Sequence, residues 1–387
     1  MGVDATVTRE PTKALGLYLH VPFCRSKCLY CDFCSFPARD ENLFFAYVER
    51  LCRDLEERAA NCADRTVDSI YVGGGTPTVL PAQLLERIFA CVRKNYRLSN
   101  DAEITVECNP VTESRALFER LAVAGVSRLS IGVQSAHANE LRRLGRLHTF
   151  SDVRATVDNA RAAGISNLSM DVMFGIPEQT VQSYLDTLNA LCELSPTHIS
   201  AYGLSVEEGT PFGKMGDRLI LPDEEATRRM YFDGINLLAR NGYAQYEISN
   251  FSKLGYESRH NLKYWNCEEF LGFGPAAYSD FGGSRFGNCR DLDAYLQGKT
   301  IVDECETPTL SQRKNEFVML AMRLSKGISQ KKYRDRFDAD PEVDFGAALS
   351  RYIGLGLIRK TEDGYAFTPE GMYVSNAVLS EVLDFEA

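Results

Sequence analysis

Leu15-Gly-Leu-Tyr-Leu-His-Val-Pro-Phe-Cys24-Arg-Ser-Lys-Cys28-Leu-Tyr-Cys31-Asp-Phe-Cys34 runs an apolar segment straight into four cysteines within eleven residues. The apolar part reads as a buried strand, so the cysteines fall in the loop at its C-terminal end. The first three have the spacing C-x3-C-x2-C. So short a loop aims several thiolates at one point, and thiolates bind zinc or the iron of an iron–sulfur cluster. Four-cysteine zinc sites usually come as two separated pairs rather than one run, which favours the cluster. Spacing alone leaves Cys34 as either a fourth ligand or a bystander. If three thiolates bind, one iron stays open to a small molecule.

The same pattern repeats downstream. Val67–Val72 reads as a strand ended by Gly73-Gly-Gly-Thr-Pro77, and Glu103–Glu107 as one followed by Cys108-Asn-Pro110. Residues 127–132 run into Val133-Gln134-Ser135, and 166–172 into Met173-Phe-Gly-Ile-Pro177. A last strand covers 197–202. Helical spacing of apolar residues separates them, over 42–60, around Leu84–Val92, over 113–124, after a cap at Ser151, and over 180–192. About six strand–helix units imply a parallel sheet with right-handed crossovers. Polar and glycine-rich punctuation gathers at the C-terminal end of strand after strand. Barrels collect their sites on that face, whereas an open doubly wound sheet uses a single crevice. The expectation is therefore an α/β chain with a partial (β/α)6 barrel over residues 1–222.

A helix over 223–241 follows, then an irregular stretch rich in glycine, asparagine and aromatics; residues 223–305 read as a connecting region. Residues 306–387 return to helices, with a hairpin near Leu357–Phe367. Helix, helix, helix, hairpin, helix fits a winged-helix-like domain. Its charges are mixed, with no basic stripe, so it reads as a docking or lid element rather than a DNA reader.

The bulk numbers agree. The chain has 387 residues and a net charge of −10, which argues against nucleic-acid or anionic-membrane affinity. No apolar run is long enough to span a bilayer. Of twelve cysteines, eight are scattered through a long chain without an apolar leader, which reads as free thiols in a reducing cytoplasm. Gly298-Lys299-Thr300 lacks the earlier glycine of a phosphate-binding loop. Glu107, Gln134 and Asp171 sit near strand ends, and Arg146 in the connection after Gln134. Together they offer carboxylates, an amide and a guanidinium, the partners of a ligand that is both amino acid and nucleoside. Of the five histidines, His20 reads as buried structure and His137, His148 and His198 carry no clear cue. His260 opens His260-Asn-Leu-Lys-Tyr-Trp265, which holds the only tryptophan.

These stretches resemble the radical S-adenosylmethionine (SAM) superfamily, in its branch of oxygen-independent coproporphyrinogen III oxidases and HemW-type haem chaperones. The likeness runs from about Leu17 to residue 383. It is carried by Tyr18-Leu-His-Val-Pro-Phe-Cys24-x3-Cys28-x-Tyr-Cys31, GGGTPT, ECNP, GVQS, MDVMFGIP and YEISNF-x8-HNLKYW. The resemblance implies a [4Fe–4S] cluster on Cys24, Cys28 and Cys31, with SAM on the fourth iron. By position it implies SAM contacts from Tyr18, Gly74, Gly75, Thr76, Glu107, Gln134, Arg146 and Asp171, and haem contact from His260. Partners implied are haem or a porphyrin, a haem-acceptor protein and an electron donor to the cluster. The oxidase pattern has a further cysteine two residues after the third ligand, where this chain has Phe33, and a long extension before its tyrosine, where this chain has seventeen residues. Both differences favour the chaperone over the oxidase or another tetrapyrrole-modifying enzyme. One departure stands: Leu271-Gly-Phe-Gly-Pro-Ala-Ala-Tyr-Ser279 lacks the histidine usual in chaperone members.

Overall fold

The computed structural model describes residues 13–110, 114–298 and 302–383. Glu113, within the expected third helix, and Lys299-Thr300 lie outside them. Six parallel strands run side by side in chain order: β1 (Lys13–Val21), β2 (Arg65–Gly74), β3 (Leu98–Cys108), β4 (Arg128–Gln134), β5 (Asn167–Phe174) and β6 (His198–Gly203). Crossover helices join them: α1 (Glu41–Ala59), α2 (Ala82–Asn95), α3 (Arg115–Val123), α4 (Ala138–Leu144), α5 (Phe150–Ala162) and α6 (Val181–Glu193). β1 and β6 do not pair, so the barrel is partial, as the strand–helix pattern predicts. The face of each strand that packs on the helices is apolar and buried; Leu15, Leu17, Leu19 and Val21 of β1 are all fully buried. α5 begins one turn-fragment earlier than the sequence indicates. Its cap is Thr149, in a reciprocal box with Asp152, rather than Ser151.

The barrel's other strand face is polar. With a two-residue period, Ser69 and Tyr71, Thr105 and Glu107, Ser130, Ser169 and Asp171, and His198 and Ser200 fall on shared faces. Register lines them up across the sheet: Tyr71 opposite Thr105, Glu107 opposite Ser130, Asp171 opposite Ser200.

After α7 (Glu224–Arg240) the structure differs from the expected irregular connection. Residues Asn250–Ser252 pair antiparallel with β6, and Phe270–Phe273 pair parallel with β1. Ala244–Gln245 pairs with Asn250–Ser252 at one edge, and Tyr278–Phe281, Ser284–Asn288 and Val302–Glu306 continue the sheet at the other, giving twelve strands among the described residues. The HNLKYW stretch is helix α8 (Arg259–Trp265), capped by Ser258. The C-terminal helices and the hairpin Ile358–Thr361/Gly364–Phe367 enclose a second apolar core around Phe317, Tyr333, Leu349 and Phe367. A short strand at Ile328–Ser329 adds a third strand to that hairpin. The final helix divides into Pro369–Tyr373 and Ser375–Val382.

Candidate functional site

A cavity of about 450 Å³ opens at the C-terminal ends of the six strands. Its walls include Cys24, Cys28 and Cys31 from the loop after β1, Gly74, Gly75 and Thr76 from the turn after β2, and Glu107, Gln134, Arg146 and Asp171. So ten of the residues singled out from the sequence converge on one space. Tyr18 and His260 are not among its walls.

The GGGTP turn is held against the cysteine strand. Gly75 N–H donates to Val21 O at 2.8 Å and Thr76 N–H to Phe23 O at 2.7 Å. A Cβ on Gly75 would lie 2.5 Å from Phe23 O and 2.8 Å from both Phe23 N and Val21 O, so only glycine permits this approach. Thr76 Oγ1 lies 3.7 Å from Cys24 Sγ. Burial is the chief reason the Cys24 and Cys31 thiols sit above the ordinary thiol range. They keep their protons until a metal displaces them.

Glu107 reaches across from β3. Its carboxylate accepts from Tyr71 Oη at 2.8 Å and Gly74 N–H at 3.1 Å. Burial, with the Asp171 charge adding, pushes its pKa up to about 7 against those two hydrogen bonds. Burial also raises Asp171, to which Ser130 Oγ donates at 3.2 Å. Gln134 takes a left-handed conformation, φ +66°, where β4 bulges against β5. Its Oε1 accepts from Tyr202 Oη at 2.9 Å. A non-glycine residue held there is strained, and such strain gathers at binding sites.

Arg146 is clamped by Asn109 Oδ1 and by Tyr30 Oη at 2.7 Å. Its Nε–H is buried with no partner among the described residues, an open donor beside the cavity. A Cβ on Gly132 would intrude among Asn109, Gln134 and Arg146 at 3.2–3.4 Å, so this glycine keeps a polar recess empty. These features fit a ligand bearing a carboxylate, an ammonium and ribose hydroxyls. Tyr30, Asn109 and Tyr202 were not singled out from the sequence. Asn109 had a signal in ECNP; Tyr30 and Tyr202 become visible only once the loop and β6 are placed.

Tyr18 turns elsewhere. Its hydroxyl bonds His20 Nδ1 at 2.9 Å, and His20 Nε2 bonds the Cys34 carbonyl at 2.7 Å, so His20 is buried structure that ties β1 to the end of the loop. His260 is fully buried on α8. Its Nδ1 bonds Ser69 Oγ at 3.0 Å and its Nε2 bonds Tyr264 Oη at 2.8 Å, while the ring stacks on Tyr71. Burial presses its pKa down to about 3, so it is neutral. An iron bond through either nitrogen requires the present partner to leave. The resemblance implies haem contact from His260; in this fold both of its ring nitrogens are engaged, by Ser69 and Tyr264.

A thiol-lined loop facing carboxylates, an amide and a guanidinium across the mouth of a partial barrel is the arrangement of a radical SAM protein. Residues 18–191 match the radical SAM superfamily model and residues 309–374 that of the HemN C-terminal domain. Heme chaperone HemW of Haemophilus influenzae is 31% identical over 386 residues, covering 96% of this chain and 98% of the relative. HemW of Escherichia coli is 33% identical over 381 residues, covering 94% and 97%. The mitochondrial radical S-adenosyl methionine domain-containing protein 1 of Danio rerio is 36% identical over 386 residues, covering 95% and 86%. The chain belongs to the HemW family of the radical SAM superfamily. That superfamily implies a [4Fe–4S] cluster and SAM as cofactors. The fold is shared with the E. coli coproporphyrinogen III oxidase HemN, with a TM-score of 0.85 at 23% identity over 97% of this chain and 91% of that one. At that identity the likeness speaks for the fold alone. Among the described residues, no helix is long and apolar enough to cross a membrane.

Proposed function

We propose that this chain is a haem chaperone that binds a [4Fe–4S] cluster, SAM and haem and delivers haem to an acceptor protein in the cytoplasm. The observation that carries this reading is the near-full-length identity to HemW proteins, joined to one cavity that unites the cysteine loop with the strand-end polar groups. In this reading Cys24, Cys28 and Cys31 hold the cluster. Arg146 Nε–H and the Glu107 and Asp171 carboxylates receive the carboxylate, ammonium and hydroxyl groups of SAM. Gly74, Gly75 and Thr76 give it a close backbone edge, with Gln134 beside them. When bound, the reduced cluster supplies one electron to the sulfonium of SAM. The chain's own residues orient that ligand and shield it from water. An electron donor to the cluster is implied. Tyr18 supports the site from outside it, through His20.

Residues 1–222 serve as the cofactor domain, 223–305 as the connection and 306–387 as the docking or lid domain. Separate apolar cores support the boundary before residues 306–387, while Leu238, Phe251, Leu271 and Phe273 of the 223–305 segment pack into the barrel's own core. The test is anaerobic reconstitution of the full chain, followed on one sample by haem titration, 5′-deoxyadenosine detection and a coproporphyrinogen decarboxylation assay with dithionite and SAM. The chaperone reading expects haem binding without decarboxylation. Decarboxylation would replace it with the oxidase.

A further inference from the structure

On the far side of the Asp32–Phe33 segment lies a second hollow, of about 360 Å³. Asp32 and Phe33 line both spaces and form the wall between them. The loop reaches the hollow through Cys34, the cysteine whose role spacing leaves open and which does not line the first cavity. Cys34 is half-buried, and its thiol donates to the Arg290 carbonyl at 3.3 Å. The other walls are mostly aromatic. Tyr264 and Phe270 pack edge to face with centroids 4.6 Å apart, while Phe33 and Tyr278 are exposed at the opening. Arg290, also exposed, lines the hollow.

Three kinds of group recognise a metalloporphyrin: flat apolar walls for the macrocycle, a donor atom for the iron and a cation for a propionate. The hollow holds all three. Its two nitrogen candidates are spent, since His20 is bonded through both ring nitrogens and His260 lies behind Tyr264 with both nitrogens engaged. We propose that this hollow is the haem-holding site, with Cys34 Sγ as iron ligand and Arg290 facing a propionate. The proposal rests on the haem-chaperone reading above and adds the place and the ligand. On binding, a sulfur lone pair forms the bond to ferric iron, the S–H bond to the Arg290 carbonyl is lost, and the thiol proton goes to water. No electron is transferred. Burial holds the Cys34 thiol protonated until iron displaces that proton. A space this size, open on one side, grips one edge of the macrocycle and leaves the other exposed, which suits hand-off to an acceptor.

The test is ferric haem titration of the anaerobically reconstituted full chain, comparing wild type with Cys34→Ser and Arg290→Glu. The expected result is a thiolate-type Soret band in wild type that Cys34→Ser abolishes, with cluster iron and sulfide unchanged. Arg290→Glu keeps the thiolate spectrum and weakens affinity about tenfold, the loss of one charge-assisted contact. Wild-type haem binding whose spectrum and affinity survive in both variants overturns this site and leaves the chaperone reading standing. Loss of cluster iron in Cys34→Ser makes Cys34 a cluster ligand and also overturns the site. Failure of wild type to bind haem overturns the chaperone reading, and the site with it.

Discussion

Glu107 gives the sharpest test of the SAM cavity, because the structure sets both a direction and a size. Its carboxyl is moved from 4.5 to about 7, chiefly by burial. At about 1.4 kcal/mol per pH unit, ionising it in the empty cavity costs about 3 kcal/mol. Water in the open mouth screens the group, so that figure is a ceiling. The sign follows from linkage. The folded pKa lies above the unfolded one, so this group's contribution to stability is fully present below pH 4.5 and is lost as pH rises through about 7. A cationic ammonium or a ribose hydroxyl of SAM is received by the ionised form, so binding at neutral pH releases a proton. Apparent SAM affinity should fall by up to about tenfold for each pH unit below about 7. Calorimetric titration of the reconstituted protein between about pH 6 and 8, in two buffers of different ionisation heat, reads both the affinity and the proton. In Glu107→Gln the pH dependence and the proton release should vanish, with affinity reduced at pH 8. A flat wild-type profile, or a slope that persists in the Gln variant, would refute the assignment of Glu107 as a ligand-facing carboxylate.

Other outcomes follow from the same geometry. Alanine at Cys24, Cys28 or Cys31 should remove most cluster iron and sulfide, whereas Cys34→Ala should retain them; an equal loss at Cys34 refutes a three-ligand cluster. Gly75→Ala forces a Cβ into three backbone atoms that cannot yield, and should cost about 3 kcal/mol with loss of iron incorporation. Gly164→Ala, at φ +90° with nothing within 4 Å, is the control: it should cost about 1 kcal/mol and leave iron intact, so equal iron loss in the two would separate the turn from the cluster. His260→Ala removes two buried hydrogen bonds and a stacked ring, so thermal unfolding should register a loss of about 3 kcal/mol. The haem spectrum of the folded variant should not change, and a shifted Soret band would return His260 to the haem site.

Much of the barrel was legible because its signals are local. Each parallel strand is an apolar run closed by its own glycine or proline punctuation, and each helix carries its own 3.6-residue stripe. Chain order alone then places GGGTP, ECNP, GVQS and MFGIP on one rim beside the cysteine loop. Residues 243–305 were not legible, because what makes Phe270–Phe273 a strand is β1, some 250 residues earlier in the chain, with Leu17 opposite Leu271 and Leu19 opposite Phe273. Short segments broken by glycines carry no period of their own, and nothing local names so distant a partner. Side-chain direction was hidden for the same reason. Tyr18 and His260 stand in motifs as prominent as Glu107, yet only the packed sheet turns Tyr18 onto His20 and closes Ser69 and Tyr264 over His260. The sequence by itself determined which residue types gather at the strand ends, since strand, turn and helix are written in neighbouring residues. Only the tertiary structure decided which of them face the cavity, which face the second hollow and which are spent on each other, because those choices are made by contacts between residues far apart in the chain.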